Sequence, residues 1–265
     1  MPSPVWAWRR LMALLRQAGR VAPPVDTRTV AVLAAMPNEL RPLVRALSLR
    51  RRRSDGPEVW TDSVGGIRVV ASTVGVGTSA AGAATDALLR STTVDHVVVI
   101  GIAGALGPDP PVGGLVVPEV VLDGRSGREL RPAPVEGHPG HGTLHTSDEF
   151  ILDPERLRRL RDAGVVALDM ETAAIAEVCE AHGRPWSVVR AISDSAVDQP
   201  VGAAAIGLVK ADGSPDLRAV ARLLARRPGA VRGLARLARD SKVAALTSVR
   251  AVEQAYFRNG GSGPA

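Results

Sequence analysis

Apolar residues run almost unbroken through Thr29-Val30-Ala31-Val32-Leu33-Ala34-Ala35-Met36, the pattern of a strand covered on both faces of a sheet. After Pro37-Asn38-Glu39 the period changes, and Leu40, Leu43, Val44 and Leu47 recur at helical spacing. Residues 58–62 and 67–72 flank Gly65-Gly66 and predict a β-hairpin. Its second strand runs into Val74-Gly75-Val76-Gly77 and a helix of small residues. Residues 96–101 predict another buried strand, followed by a glycine-rich turn over 101–106 and a strand over 112–118. Between residues 121 and 145 proline, glycine and histidine accumulate, which predicts a mobile loop. A helix begins near Pro154 with Leu157 and Leu160 inward. Residues 166–169 form a short apolar strand that turns at once into a helix with Ile175, Val178 and Cys179 on one face. The next strand, 186–192, ends in Ser193-Asp194. Two or three helices finish the chain, broken at Arg227-Pro228-Gly229, with arginines opposite their apolar faces.

Strands alternating with helices in this way predict one α/β domain over residues 28–200, with a helical part, 201–258, packed on it. Ahead of it, Val5, Trp8, Leu11, Met12, Leu15 and Ala18 share one face of a basic helix, and Pro23-Pro24 makes a stiff connector. Residues 1–27 therefore read as an extension, and the helix over residues 1–20 is a candidate for packing on a partner subunit, for fraying, or for peripheral contact with an anionic membrane surface. The glycine-rich end, 259–265, predicts disorder.

Composition narrows the classes. At 265 residues and 45% hydrophobic the chain can bury one substantial core. Its single cysteine, Cys179, permits no internal disulfide. The net charge of +6 comes largely from arginine, yet aromatics make up only 3%, so the stacking residues of a nucleic-acid reader are missing. The runs Arg50-Arg51-Arg52-Arg53 and Arg158-Arg159-Leu160-Arg161 read as solvated faces. No stretch has the roughly 20 apolar residues that span a bilayer, and arginines interrupt any signal-like core near the start. A cytoplasmic location is expected.

The candidate chemistry lies at strand ends. Asp169 and Glu171 stand at a strand-to-helix junction, where α/β proteins bind small ligands. Standing alone they would read as a helix cap, Asp169, and a first-turn acid, Glu171. The strand over 186–192 brings a further carboxylate, Asp194, with Arg190 close by, and paired acids beside a cation suit proton transfer. Glu39 is a third strand-end acid. Gly75 and Gly77 precede a helix and let a ligand approach backbone amides. His138, His141 and His145 have metal-like spacing, but Pro139, Gly140 and Gly142 oppose the helix that would align them.

Strand, acid, hairpin, glycine turn, glycine-rich strand end, Asp169-Met170-Glu171-Thr172-Ala173-Ala174 and Arg190-Ala191-Ile192-Ser193-Asp194 follow in an order that resembles the nucleoside phosphorylase and nucleosidase superfamily. Ala34-Ala35-Met36-Pro37-Asn38-Glu39 resembles the opening of its methylthioadenosine and S-adenosylhomocysteine nucleosidases. The resemblance implies a three-layer α/β/α fold around a mixed, twisted sheet, a small-molecule nucleoside substrate, a homodimer, and chemistry that needs no metal or organic cofactor. It implies that Glu39 orients or deprotonates the attacking water, Glu171 accepts the ribose hydroxyls, and Met170 lies beneath the sugar. Asp194, beside Ser193, would serve purine N7, Phe150 and Ile151 would line the base pocket, and Arg190 would brace the acids. Val74, Gly75 and Gly101 would complete the substrate site.

Val99 and Ile102 occupy the places where related phosphorylases carry an arginine and a hydroxyl residue for phosphate, so water is the expected nucleophile. Phosphorolysis, or a nucleoside-binding scaffold without turnover, are the competing readings. Val74 replaces a serine usual in the methylthioadenosine branch. Residues 207–213 and 223–228 resemble instead the hopanoid-pathway enzymes that release adenine from adenosylhopane.

Overall fold

The computed structural model describes residues 28–52, 57–107, 109–195, 218 and 230–258. The proposed N-terminal helix and connector, the apolar stretch and turn after residue 195, the segments 207–213 and 223–228 that resemble the hopanoid enzymes, and the end beyond 258 lie outside the described residues.

In chain order the elements are β1 (Thr29–Ala34), α1 (Pro37–Ala46), β2 (Arg50–Arg52), β3 (Val59–Val64), β4 (Ile67–Thr73), α2 (Thr78–Ser91), β5 (His96–Ala105), β6 (Leu115–Val116), β7 (Val120–Asp123), β8 (Glu129–Leu130) and β9 (Thr143–Thr146). They continue as α3 (Pro154–Asp162), β10 (Val165–Asp169), α4 (Thr172–Ala181), β11 (Trp186–Ser195), α5 (Ala230–Val252) and a π-helical turn, Glu253–Arg258.

Among the described residues the eleven strands form one mixed sheet in the order β2-β3-β4-β1-β5-β10-β9-β7-β8, with β11 on β5 and β6 on β11. The long strand β5 organises it. Its first half lies parallel to β1, with Val30 opposite His96 and Leu33 opposite Val99. Once β1 has ended, β10 takes over, antiparallel, pairing Leu168 with Gly104 and Ala167 with Ala105. Along its other side β11 runs parallel for nearly the whole length. The ends of β1, β10 and β11 thus meet around the second half of β5.

Alternating side chains cover two faces, as strand geometry requires. Ala31, Leu33, Val97 and Val99 face a layer built from Ala81 and Leu88 of α2 and Ala173, Ile175, Ala176 and Cys179 of α4. Val30, Val32, Ala34, Val98 and Ile100 face Leu40 and Leu43 of α1, Val249, Ala251 and Val252 of α5, and Phe257. The result is the expected three-layer α/β/α arrangement, with a C-terminal helix closing one layer. Among the described residues no helix is long and apolar enough to cross a membrane.

Three expectations are corrected. The stretch 121–145 is not one mobile loop, because it carries part of β7, all of β8 and most of β9. These strands of two to four residues bury Val121, Leu130 and Leu144, and Gly124, Gly127 and the nearby prolines hide so short an alternation. The glycine-rich turn over 101–106 is a continuation of β5, held in register by β11 as far as Ala105 opposite Ser195. The strand over 112–118 shrinks to Leu115–Val116, since Gly113 adopts a φ of +80°. The arginine run at 50–52 is an exposed edge strand, where Arg50 reaches Asp62 at 3.3 Å and Arg51 pairs with Glu58. Charge on an edge strand discourages further strand pairing.

Candidate active site

β1 ends at Ala34 and the chain turns into α1, so the first turn of that helix stands beside Gly101 and Ile102 of β5. Glu39 is its third residue. One carboxyl oxygen accepts the Met36 N–H at 2.8 Å, the half of a capping box expected of a first-turn acid. The other accepts the Ile102 N–H at 3.0 Å, and the residue is 1% exposed. Burial pushes its carboxyl above the usual range, opposed by the charge of Arg190 and by the two amide bonds.

Arg190 enters from β11 and is also 1% exposed. Its Nη2 donates to Asp169 at 2.5 Å and to the Thr172 hydroxyl at 2.9 Å, and lies 3.5 Å from Glu171. Asp169 in turn accepts the Thr146 hydroxyl at 2.6 Å, the Thr172 N–H at 3.2 Å and the Thr172 hydroxyl. Asp169 therefore accepts the first amide of α4 from two residues ahead of the N-cap, Glu171, and is also the arginine's nearest partner. Gly101, with φ +142°, is where Arg190 and Glu39 approach the backbone, because a Cβ there would lie 2.5 Å from Nη1 and 2.6 Å from Glu39 Oε1.

Glu171 belongs to the same buried group. Its Oε1 accepts the Gly77 N–H at 3.1 Å, so the glycine turn ahead of α2 reaches back to the β10–α4 junction. Burial pushes its carboxyl up to about 8, opposed by Arg190 and reinforced by Asp169 and Glu39. Met170 is half-buried between the two acids. Val74 and Gly75 leave β4 alongside the end of β1, donating to Ala34 and Ala35 carbonyls at 2.9 and 3.1 Å.

Asp194 lies further along β11, past a bulge, opposite Gly104. It accepts the Ser193 hydroxyl at 2.5 Å, and burial raises its carboxyl above the usual range against that bond. It lines a cavity of about 320 Å³ together with Leu106, Ile192, Val112 and Arg161. Ile151 packs against Leu106, Leu157 and Val165, whereas Phe150 is 38% exposed. Glu39, Glu171 and Arg190 thus gather around Gly101, whereas Asp194, opposite Gly104, lines a cavity whose walls include none of the three. His145 is buried on β9, away from the turn carrying His138 and His141, which line a separate small cleft.

Sequence reasoning missed Thr146, Thr172 and Asp148. The two threonines read as ordinary polar positions, and nothing local reveals that their hydroxyls orient Asp169. Asp148 accepts the Thr78 N–H at 2.7 Å and its hydroxyl at 2.5 Å, across 70 residues of sequence.

This sheet, with acids at the ends of β10 and β11 and at the start of α1, defines a member of a recognised class: the chain belongs to the phosphorylase superfamily, matched over residues 29–141 and 134–226. Within it, the chain is 28% identical over 200 residues to the 5′-methylthioadenosine/S-adenosylhomocysteine nucleosidase of Chromohalobacter salexigens, covering 64% of this chain and 85% of the relative. The fold is also that of the 5′-methylthioadenosine/S-adenosylhomocysteine nucleosidase from Neisseria meningitidis, solved with methylthio-immucillin-A, at TM-score 0.63 and 23% identity over 85% of this chain and 96% of that one. The futalosine hydrolase of Helicobacter pylori matches at TM-score 0.64 and 16% identity, over 86% and 96%.

Proposed function

We propose that this protein is a purine nucleosidase, a hydrolase that cleaves the N-glycosidic bond of a 5′-substituted adenosine and releases adenine. The observation that carries the reading is the meeting of Glu39 and Glu171, 132 residues apart, around Arg190 and Gly101. The nucleosidase names of the curated relatives agree with it.

Cleavage develops positive charge on the sugar and negative charge on the departing base. Carboxylates beside the ribose stabilise the first and an acid at the base neutralises the second. Glu39, held by two amides, takes a proton from water as the water oxygen bonds to C1′ and the C1′–N9 bond breaks. A raised proton affinity suits that task near neutral pH. Glu171 accepts the ribose hydroxyls, Met170 lies under the ring, and Asp194 gives its proton to N7, with Ser193 steadying it. Phe150 and Ile151 supply the apolar wall of the base site.

Water is the nucleophile in this reading because the Ile102 N–H already serves Glu39 and Val99 is fully buried in the core, leaving little to grip a phosphate. Product analysis on methylthioadenosine, adenosylhomocysteine, adenosine and adenosylhopane tests it. Adenine and free sugar should form at equal rates with and without phosphate. A ribose 1-phosphate, still 5-substituted where the substrate is, formed only when phosphate is added would mean phosphorolysis, and no base from any of the four would sink the assignment.

The finer reading adds a cytoplasmic homodimer, in which loops and a second subunit complete the 5′ pocket. It also adds peripheral membrane contact through residues 1–20 and a place for the lipid substrate adenosylhopane, supported by the basic amphipathic start and the sequences of residues 207–213 and 223–228. The domain boundaries at 28, 201 and 259 belong to the same reading. Light scattering reads the oligomer, and liposome sedimentation with and without residues 1–20 reads the membrane contact.

A further inference from the structure

We infer that Asp148 is a positioning residue, a strap that ties the segment carrying Phe150 and Ile151 to the glycine turn that holds Glu171. The inference rests on the nucleosidase reading for what the tied segments touch, not for the tie itself.

Helix α2 begins at Thr78 after Gly77, which has no side chain to cap it. The first amides of a helix need acceptors, and here two carboxylates from distant parts of the chain divide them. Glu171 takes the Gly77 N–H at 3.1 Å and Asp148 takes the Thr78 N–H at 2.7 Å. The Thr78 hydroxyl adds a second bond to Asp148 at 2.5 Å. Gly77 is suited to the arrangement, because at φ +91° any Cβ would stand 3.3 Å from Asp148 Oδ1.

The strap closes a ring. The Ser147 N–H donates to the Asp169 carbonyl at 3.0 Å and the Thr146 hydroxyl to its carboxylate at 2.6 Å. The path therefore runs from the acid junction through Glu171, Gly77 and Thr78 to Asp148, and back through Ser147 and Thr146 to Asp169. Two residues beyond Asp148, Phe150 is exposed, and the next residue, Ile151, anchors the segment in its own apolar cluster. Without Asp148 the Thr78 N–H becomes a rival donor for Glu171, and the segment 147–150 loses its one side-chain tie to α2 among the described residues. Sugar-side and base-side contacts would loosen together.

Hydrogen exchange on the full-length chain tests the tie without reference to activity. Asp148→Ala should speed exchange at least tenfold both in residues 76–80 and in residues 147–151. Thr78→Val, which keeps the N–H and removes the hydroxyl, should give a smaller effect at the same two places. Asp153→Ala, which removes the equivalent cap on the Glu155 N–H at 3.0 Å, should affect α3 alone. Steady-state kinetics supply the second readout: Asp148→Ala should raise KM for the nucleoside and Kd for adenine about tenfold while kcat changes less than threefold, and Asp148→Asn should restore part of the loss. Faster exchange confined to the first turn of α2, or KM and Kd within twofold of wild type, would overturn the inference and leave Asp148 an ordinary helix cap. Coupled exchange in a protein that releases no base would overturn the nucleosidase reading and leave the strap standing.

Discussion

One cation and three carboxyls share the buried centre, and their contacts are unequal. Asp169 holds the closest contact with Arg190 and gathers the hydroxyls of Thr146 and Thr172 besides. Glu39 and Glu171 feel the same guanidinium less directly, so burial prevails and both carboxyls are pushed upward, Glu171 to about 8. Two outcomes follow at this scale. Glu39→Gln keeps the shape but cannot take a proton, so base release should fall about 10²- to 10⁴-fold while calorimetry shows nucleoside affinity within a few-fold. For Glu171 the folded value lies above the ordinary value of 4.5. Its contribution to stability is therefore fully present below about 4.5 and is lost as pH rises through about 8. In Glu171→Gln that contribution is absent, so urea unfolding at pH 5, 7 and 9 should show wild type losing stability relative to the variant as pH rises. Parallel pH profiles would show that Glu171 does not carry the proton.

At the scale of elements, the site depends on β5 keeping its register through Gly101. An alanine there meets both Arg190 and Glu39 and must hold φ +142°. Backbone strain of this kind costs about 1–3 kcal/mol, and displacement of the two side chains adds to it. Gly101→Ala should lower stability by about 2 kcal/mol or more and abolish base release. Gly127→Ala is the control, since φ is +74° but nothing lies within 4 Å of the added carbon. It should carry the strain alone and leave turnover intact. The elements legible in the sequence are those with long, uniform periods: β1, the hairpin β3–β4, the β10–α4 junction and β11. Glu39, Glu171 and Asp194 were legible as chemistry because each stands at or beside an end of such an element, and Arg190 because it lies close to Asp194 in the sequence. The short strands β7, β8 and β9 were not, because two to four residues carry too little period to register. Asp148 with Thr78, and Thr146 with Asp169, were not legible either, because their partners are chosen by the sheet order and lie 70 and 23 residues away.

For the whole molecule, the decisive packing is that of α5. It lies on β11, β5 and α1, and places Val249, Val252 and, just beyond it, Phe257 in the core beneath the strands that carry the site. Fully burying side chains of this size contributes about 1.5–3 kcal/mol each, so these three account for about 5–9 kcal/mol, comparable to the whole stability of an ordinary domain, about 5–15 kcal/mol. Near the same end of α5, the Tyr256 hydroxyl lies 3.5 Å from His96, which holds the Ser187 hydroxyl at 2.9 Å and is pushed down to about 4 by burial, with the charge of Arg28 adding. The last described helix is thus bound at the start of β5 and β11, the opposite end of the strands from the acids. Removing residues 230–265 should leave a chain without cooperative thermal unfolding and with no base release, although Glu39, Glu171, Arg190 and Asp194 all remain. If the shortened chain instead melts cooperatively and releases adenine at a rate near that of the full protein, α5 is an accessory rather than a layer of the domain.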